Sequence, residues 1–429
     1  MKNQNRREFL KVTGMAVAGS MLPLTARASR ASFPGINSDT LKVGLIGCGG
    51  RGTGAANQAL NADPNVVLHA AGDIFPDKMK ESLDNLQRVH GEKATVPEDH
   101  RFLGFDAYRD VIDSGVDVVI LATPPGFRPQ HLEAAVDKGI HIFCEKPVAV
   151  DAPGIRKVLR SVKKSKEKNI SLVSGFCWRY HEPKRAIFNR ILDGSIGDIH
   201  TLYNTYYTGE LWSHPREPHW SESEYQLRNW LYYNWLSGDH IVEQAVHSID
   251  MMAWAMNDRL PVSVIGTGGR QVRTDEQFGH IYDHFAITYE YENGAKGFHF
   301  SRQQDNCENS YKVEMSGSKG RGIADVTRDI HRIDNGREWN YEGESNNMYQ
   351  TEHDELFASI RKGEFINDGY FMAKSTMLAI MGRMAAYTGK RITWEEALNS
   401  DEKLTPEPYS MDYHLHVSDV PKPGKTSFR

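Results

Sequence analysis

Cysteine, basic charge and long apolar runs are all scarce in this chain of 429 residues. The four cysteines, Cys48, Cys144, Cys177 and Cys307, are scattered without metal-ligand spacing or a disulfide framework. Acidic residues outnumber basic ones by 56 to 51, which gives a formal net charge of −5. A surface of this sign repels nucleic acid and anionic membranes. We therefore expect no nucleic-acid partner and a chain that folds in a reducing compartment.

The N-terminal apolar run, residues 12–24, is too short and too polar to span a bilayer. A twin arginine, Arg6 and Arg7, precedes it, and the small-x-small pattern that ends at Ala28 follows it. This order is typical of a twin-arginine signal, which directs a protein to export. We predict a signal peptide over residues 1–28, contact with the twin-arginine export machinery, and a periplasmic mature protein without a membrane anchor.

A glycine-rich turn follows the first apolar strand of the mature chain. It comprises Gly47, Gly49, Gly50, Arg51 and Gly52, and it fits the pattern G-x-G-x-x-G between a strand and a helix-like stretch. The next strand ends at an acidic residue, Asp73. In a dinucleotide-binding unit such a carboxylate accepts hydrogen bonds from the ribose hydroxyls and repels a 2′-phosphate. The sequence therefore predicts bound NAD, with NADP less favoured.

The signal and the glycine turn have a joint consequence. The twin-arginine route moves folded proteins, and nicotinamide nucleotides are scarce outside the cytoplasm. A dehydrogenase exported in this way must carry its cofactor with it. We therefore expect NAD to remain bound through each turnover and to be regenerated by the chemistry of the enzyme.

The pattern of apolar runs changes near residue 174. Before it, short runs alternate with helix-like segments, which is typical of a doubly wound parallel sheet. After it come longer strands, and two of them are joined by the hairpin turn signal Asn293-Gly294. We predict a Rossmann domain over residues 29–174, an α+β domain with a large, mostly antiparallel open sheet over 175–405, and an extended arm over 406–429. Because such a sheet exposes one face, we expect a homo-oligomer, a dimer or tetramer, assembled through it.

Two further strand ends carry polar groups at the edge where open parallel sheets bind ligands. Thr123 precedes Pro124 and Pro125 at one of them, which places a hydroxyl beside a rigid turn. Glu145 and Lys146 precede a proline at the other. A lysine beside a nicotinamide can hydrogen-bond a substrate hydroxyl and stabilise the alkoxide that develops during hydride transfer.

A predicted helix between Gly238 and Asn257 carries titratable groups on one face. Glu243 and His247 are four residues apart, and His240 and Asp250 lie three residues outside them. Apolar residues between these positions argue against a solvated surface, so acid/base catalysis is one interpretation. A zinc site built from His240, Glu243 and His247 is the other, although no fourth ligand is obvious. We expect no metal.

The three motifs together make the chain resemble the Gfo/Idh/MocA family, named after glucose-fructose oxidoreductase and inositol dehydrogenase. The motifs are the glycine turn, the triplet that starts at Glu145, and the helix with Glu243, His247 and Asp250. Two positions differ from the usual pattern, since Glu243 replaces Asp and Ala245 replaces Gly. The run from Gly382 to Lys390 also resembles the exported bacterial members. The resemblance covers essentially the whole mature chain.

The resemblance implies that Lys146 and His247 flank the reacting carbon, with His247 as the general base and Glu243 and Asp250 beside it. It also implies an exported enzyme that acts on sugars. The expected cofactor-binding residues are Gly47, Gly49, Gly50, Arg51, Gly52, Asp73, Thr123, Pro124, Pro125, His131, Glu145 and Lys146.

An aromatic segment, residues 203–235, supports a sugar substrate, because it holds four of the eight tryptophans. Aromatic faces stack on the C–H faces of pyranose rings, although many such residues serve core packing or subunit contacts. A second short aromatic group follows an apolar strand. The expected substrate-binding residues are Trp178, Arg179, Tyr180, Arg228, Trp230, His240 and His247.

The sequence therefore predicts an NAD-dependent sugar oxidoreductase that acts on a CH–OH group. Two other functions stay open. Some relatives cleave glycosides through transient oxidation, elimination and re-reduction, without net redox change. A sugar-binding protein that keeps NAD as a structural ligand is the third possibility, and the presence of Lys146 and His247 argues against it.

Overall fold

The computed structural model of this chain describes residues 40–406, 409–411 and 417–428. The signal peptide predicted over residues 1–28 lies outside these residues. Within the described ranges, no helix has the length and apolar character needed to cross a membrane.

A six-stranded parallel sheet forms the first half of the described chain. Its strands are β1 (Leu41–Ile46), β2 (Val66–Asp73), β3 (Arg101–Leu103), β4 (Val118–Leu121), β5 (His141–Cys144) and β6 (Leu172–Ser174). The order in space is β3-β2-β1-β4-β5-β6, and every pairing is parallel. Helices cover both faces, so a strand such as β4 is buried at all four positions. The predicted doubly wound sheet is confirmed.

Helices alternate with these strands along the chain. They are α1 (Gly50–Ala62), α2 (Pro76–His90), α3 (Ala107–Asp113), α4 (Arg128–Lys138) and α5 (Ala152–Glu167). The strand order reverses between β1 and β4, and ligands of open α/β sheets bind at the carboxyl ends of the strands at such a point. The glycine turn follows β1, and Thr123 follows β4, so both lie at this position.

A nine-stranded sheet forms the second half. A helix, α6 (Glu182–Leu192), leads into it. Its strands are β7 (Ile199–Thr208), β8 (Ser263–Gly269), β9 (His284–Glu290), β10 (Lys296–Gln303), β11 (Ser310–Gly317), β12 (Gly320–Asp325), β13 (Ile330–Asp334), β14 (Glu338–Asn340) and β15 (Ile392–Thr393). Seven of the eight neighbouring pairs are antiparallel, and β7 with β10 is the parallel exception. The predicted mostly antiparallel sheet is confirmed.

The predicted hairpin is present between β9 and β10. Glu290 pairs with Lys296, and Gly294 adopts a φ of 82° in the turn. On β10 the side chains alternate, so that His299 and Ser301 are buried while Phe298 and Phe300 lie half-buried on the other face. One face of the sheet therefore packs on helices, and the other presents aromatic groups.

The segment between β7 and β8 is helical in short pieces. These are α7 (Glu222–Arg228), α8 (Asn234–Ser237), α9 (His240–Glu243) and α10 (Val246–Ala255). The single helix predicted from Gly238 to Asn257 is thus divided in two. At the division the N–H of His247 bonds to the carbonyl of Gln244, over 3.3 Å, rather than to that of Glu243. The carbonyl oxygen of Glu243 is therefore left for another donor.

Three late helices complete the described part, namely α11 (Met348–Lys362), α12 (Gly369–Thr388) and α13 (Trp394–Leu398). Helix α12 is buried along most of its length. Its Arg383 is fully buried, donates to the carbonyl of Val150 over 2.7 Å and pairs with Glu402, also at 2.7 Å. This helix packs on both α5 and β8, so it joins the two sheets.

The described residues of the predicted arm, 406, 409–411 and 417–428, contain no helix or strand. Two of these residues contact the second half of the chain. The hydroxyl of Tyr282 donates to the carbonyl of Pro421 over 2.8 Å, and Gly424 donates to Thr388 over 3.0 Å. These contacts tie the arm to the folded domain.

Candidate active site

The glycine turn joins β1 to the N-terminus of α1. Gly47 has a φ of 96°, a conformation that favours glycine. A Cβ on Gly52 would lie 1.9 Å from the carbonyl oxygen of Gly47, so only glycine fits where helix and strand approach. A Cβ on Gly49 or Gly50 would meet nothing within 4 Å, so the turn faces open space. The backbone can therefore be approached closely by a pyrophosphate at a helix N-terminus.

Asp73 ends β2 beside this turn. Its Oδ2 accepts from the N–H of Cys48 over 2.6 Å, and its Oδ1 accepts from the N–H of Phe75 over 2.9 Å. Burial raises the pKa of the Asp73 carboxyl, and the two backbone N–H groups oppose that rise. A carboxylate has about four acceptor positions, so the side chain can still accept from ribose hydroxyls.

A cavity of about 640 Å³ opens over the glycine turn. Its lining includes most of the residues predicted to bind cofactor, namely Gly47, Gly49, Gly50, Arg51, Gly52, Asp73, Thr123, Pro124 and His131. Thr123 and His131 contact each other, with 3.2 Å between the hydroxyl oxygen and Nδ1. Burial lowers the pKa of His131 to about 3, so its imidazole is neutral. Pro125 is buried, and it is not among the residues that line the cavity.

Glu145 lies at the end of β5, as predicted, and its carboxylate is bound by other residues of the chain. Its carboxylate accepts from Nε of Arg51 over 2.5 Å and from the backbone N–H of Lys146 over 3.1 Å. Arg51 also pairs with Glu352 of α11, at 3.3 Å. Glu145 therefore fixes the glycine turn to the end of β5. We missed Glu352 in the sequence because nothing in its neighbourhood along the chain indicates a partner 301 residues away.

Lys146, Glu243 and His247 come together at the end of β5. Nζ of Lys146 donates to the carbonyl oxygen of Glu243 over 2.7 Å, which is the oxygen left free between α9 and α10. The Lys146–Pro147 peptide bond is cis. Burial raises the pKa of the Glu243 carboxyl, and the charge of Lys146 opposes that rise. The ammonium is thus held where the two halves of the chain meet.

His247 lies in an aromatic setting. The centroid of its imidazole is 5.0 Å from that of Trp178 and 6.0 Å from that of Phe176. Burial and then the charges of Lys146, Arg51 and Lys184 lower its pKa well below 6.5. The imidazole is therefore neutral at physiological pH, as a general base must be before it accepts a proton.

Asp250 does not join this group. Its carboxylate accepts from Arg179 at 2.8 and 2.9 Å and from the hydroxyl of Ser375 at 2.7 Å. Arg179 pairs in addition with Asp258, at 2.7 Å. Asp250, which was predicted to be catalytic, and Arg179, which was predicted to bind substrate, thus form a buried ion pair with each other.

Two other predicted substrate-binding residues are held by the protein itself. The imidazole of His240 is buried, with its ring nitrogens 3.1 Å from the carbonyl of Tyr282 and 3.1 Å from the hydroxyl of Ser301. The hydroxyl of Tyr180 donates to Asp368 over 2.6 Å. His240 therefore has no free nitrogen for a metal, and residues 40–406, 409–411 and 417–428 contain no group of three His, Cys, Asp or Glu side chains that could hold one.

Arg228 and Trp230 also lie away from Lys146 and His247. Both line the cavity over the glycine turn, together with Trp212, His214 and Trp220 from the same aromatic segment. The sequence predicted that this segment contacts a sugar, and its aromatic content is equally compatible with a nucleotide as the ligand. Of the predicted substrate-binding residues, Trp178 and His247 are the two that contact each other.

Two protein-family models match this chain, one in each of its two folded parts. Residues 41–172 match the model of an oxidoreductase family with an NAD-binding Rossmann fold, and residues 185–322 match the GFO/IDH/MocA C-terminal domain. The two matches together span more than half of the chain. The chain thus belongs to the Gfo/Idh/MocA family of oxidoreductases, and its N-terminal half is an NAD-binding Rossmann domain.

Several relatives are similar along much of the chain. Myo-inositol 2-dehydrogenase of Thermotoga maritima is 24% identical over 67% of this chain and 76% of its own length. A glycosyl hydrolase family 109 protein of Shewanella pealeana is 27% identical over 46% of each chain. A structure of levoglucosan dehydrogenase in complex with NADH and levoglucosan has a TM-score of 0.63 at 20% identity, covering 82% of this chain and 99% of the other. At 20% identity, the similarity to levoglucosan dehydrogenase is a similarity of fold alone.

Proposed function

We propose that this chain is a periplasmic oxidoreductase that retains NAD and transfers hydride from or to a hydroxyl carbon of a sugar or glycoside. The observation that carries the proposal is the junction of Lys146 and Glu243, with His247 four residues further on. The Thermotoga maritima relative is named a dehydrogenase, which supports hydride transfer as the class of reaction.

The residues of this chain can divide the work as follows. Lys146 donates a hydrogen bond to the substrate oxygen and stabilises the negative charge that develops on it. His247, neutral at physiological pH, accepts the hydroxyl proton. NAD, when bound, supplies the acceptor for the hydride. Trp178, which packs on His247, offers an apolar face to the ring of a sugar.

The test of this proposal uses the protein as purified after export. Mass spectrometry of the intact complex should find NAD bound, and addition of a sugar substrate should convert it to NADH in a single turnover. His247→Ala should abolish that conversion while the bound nucleotide is retained. Exported protein that carries no nucleotide and has no affinity for one would contradict the proposal, and so would full activity of His247→Ala.

A second candidate function is cleavage of a glycoside through transient oxidation, elimination and re-reduction. The relative in glycosyl hydrolase family 109 favours it. Deuterium at the carbon beside the transient ketone separates the two reactions. Wash-out of that deuterium with release of the aglycone indicates cleavage, whereas its retention with accumulation of an oxidised sugar indicates a dehydrogenase.

Export is part of the proposal and rests on the sequence of residues 1–28. A variant with both Arg6→Lys and Arg7→Lys should accumulate in the cytoplasm, whereas the natural chain should be found in the periplasmic fraction. Equal distribution of the two proteins would contradict export by the twin-arginine machinery.

We further propose that the chain forms a homo-oligomer, a dimer or tetramer, through the outer face of the nine-stranded sheet. Tyr203 is 37% exposed there, and its partner on β10, Phe298, is half-buried. Analytical ultracentrifugation should find an oligomer that Tyr203→Glu dissociates. A monomeric natural protein would contradict this assembly.

A further inference from the structure

The aromatic segment that follows β7 is held together by its own buried groups. We call residues 209–233 the roof segment. Asn229 is fully buried, and its side chain accepts from the N–H of His214 over 2.7 Å and donates to the carbonyl of His214 over 3.1 Å. The hydroxyl of Tyr232 donates to the carbonyl of Leu211 over 2.8 Å. The two ends of the segment are therefore joined by hydrogen bonds within the segment itself.

The roof segment faces the cavity above the glycine turn. On one side the cavity is lined by the glycine turn and Asp73, and on the other by Trp212, His214, Trp220, Leu227, Arg228 and Trp230. Trp212 is 47% exposed, which is unusual for so large an apolar side chain and leaves part of its surface without packing. The adenosine end of the cleft, marked by Asp73, is therefore enclosed between the Rossmann domain and the roof segment.

One ion pair fastens the roof segment to the Rossmann domain. Nη1 and Nη2 of Arg228 lie 3.0 and 3.2 Å from the two carboxylate oxygens of Asp77, in the first turn of α2. The guanidinium carbon of Arg228 also lies 4.0 Å from the ring centroid of Phe75. The pairing with Arg228 lowers the pKa of Asp77. This contact is bidentate and stacked, two features that make an arginine pair specific.

Arg228 is already neutralised by carboxylates. Besides Asp77, it binds Glu224 of its own helix, with 2.9 Å between Nε and the carboxylate. The charge is thus not available for a carboxylate on a sugar. Because Arg228 binds both Glu224 and Asp77, it links the roof segment to the Rossmann domain.

The C-terminal arm holds the same segment from another side. The hydroxyl of Ser221, at the start of α7, donates to the carbonyl of Met411 over 3.0 Å. Tyr409 packs on Phe127 of the Rossmann domain, with 4.7 Å between ring centroids. The roof segment is therefore fixed at two places, and both residues of the Arg228–Asp77 pair line the cavity.

We propose that the roof segment encloses the adenosine end of NAD and that the Arg228–Asp77 pair acts as a latch on the opening through which NAD leaves. This inference rests on the proposed retention of the cofactor and names the residues that cause it. Arg228 and Asp77 are positioning residues in this role, since they act by holding the roof segment. The tryptophans of the roof segment serve the cofactor rather than the sugar.

The experiment measures how fast NADH leaves the intact protein. The protein is loaded with NADH, excess NAD is added, and loss of the bound fluorescence gives the dissociation rate constant. Stopped-flow mixing of nucleotide-free protein with NADH gives the association rate constant. Asp77→Asn should raise both constants about twofold to fivefold, because an open roof segment eases entry and exit alike. Arg228→Lys, which keeps the charge but loses the bidentate contact, should raise them by a smaller factor.

A matched control is available on the same helix. Asp84 forms an exposed pair with Lys80 of α2, at 2.5 Å, and it is not among the residues that line the cavity. Asp84→Asn should leave both rate constants unchanged. In the natural protein and in Asp84→Asn, raising sodium chloride should speed dissociation of NADH by screening the latch, whereas Asp77→Asn should show no such acceleration.

Two outcomes would overturn the latch. Dissociation at the natural rate in Asp77→Asn is one of them. A faster dissociation with unchanged association is the other, because it would place Asp77 in direct contact with the nucleotide. If the proposed retention of NAD is wrong, the natural protein itself will release NADH within one turnover. The dissociation rate constants of the variants can still be compared with that of the natural protein in this case. Equal denaturation midpoints of the natural protein and the three variants exclude misfolding as the cause.

Discussion

The ammonium of Lys146 donates a hydrogen bond to the carbonyl oxygen of Glu243, and it can do so because α9 ends at Glu243. In an unbroken helix this oxygen would accept from the N–H of His247. The division between α9 and α10 thus gives Lys146 a neutral acceptor in place of a carboxylate. The ammonium of Lys146 is thus bound by an uncharged group, as the role that we propose for it requires.

Lys146→Met should therefore remove catalysis without removing the cofactor. We expect hydride transfer in a single turnover to slow by about a hundredfold to a thousandfold, since a charged donor to the developing oxyanion is lost. The measurement is the rate of NADH formation in protein whose bound NAD has been quantified. Lys138→Met, at the end of α4 and paired only with Asp113 on the exposed surface, is the control. A rate unchanged in Lys146→Met would exclude Lys146 from the chemistry.

The pH dependence of the reaction should reflect His247. Since burial and neighbouring cations lower its pKa well below 6.5, the neutral base persists as pH falls below that value. We expect the acid limb of the kcat/KM profile to lie well below pH 6.5. Lys184→Met removes one of the cations that lower this pKa, so the limb should move to higher pH. An acid limb at pH 6.5 or above in the natural protein would contradict the assignment of His247 as the base.

Asp250→Asn distinguishes a structural role for this residue from a catalytic one. The variant leaves a buried guanidinium, that of Arg179, with a weakened partner. We expect the free energy of unfolding to fall by about 3 kcal/mol. Hydride transfer in the folded fraction should change little, because Asp250 is bound to Arg179 and Ser375.

The matched control for this change is Asp258→Asn. Asp258 pairs with the same guanidinium, but its side chain is 28% exposed whereas that of Asp250 is 1% exposed. The loss of stability on denaturant unfolding should thus be smaller for Asp258→Asn. A collapse of single-turnover hydride transfer in fully folded Asp250→Asn would instead place Asp250 in the catalytic group.

Asp368 should make stability depend on pH. Burial raises its pKa from 3.8 to about 6, against the hydrogen bonds from Tyr180 and Ser174. Between these two values the folded state binds a proton that the unfolded state has already lost, so stability falls as pH rises. The natural protein should lose about 2 kcal/mol relative to Asp368→Asn as pH increases from 4 to 6. Denaturant unfolding at pH 4, 5, 6 and 7 measures this difference, and a constant difference would refute it.

The sequence predicted those parts of the fold that local patterns determine. The hairpin between β9 and β10 follows from its turn residues, Asn293 and Gly294. Strands β12 to β14 were missed because they have little apolar alternation, and β12 begins at Gly320 with exposed Arg321. These strands depend on pairing with β11 rather than on their own composition.

The residues of the site also differ in whether local sequence patterns determine where they lie. The glycine turn and Lys146 lie at strand ends, so their motifs predicted their position in the fold. His240 resembled a site residue, but its partners come from Tyr282 and Ser301 on later segments. Arg179 and Asp250 find each other across 71 residues, and no spacing along the chain indicates such a pair. Tertiary packing therefore determines which titratable groups are already bound by other residues of the protein.

The pairing of Arg51 with Glu352 sets an order of events in the life of the chain. The arginine of the glycine turn has one of its two carboxylate partners 301 residues further on. The nucleotide cradle therefore cannot take its final form until α11 has been synthesised and has packed on α1. The finished cradle for NAD therefore forms only once α11 is in place, and under the export that we propose this step would precede transport of the folded chain.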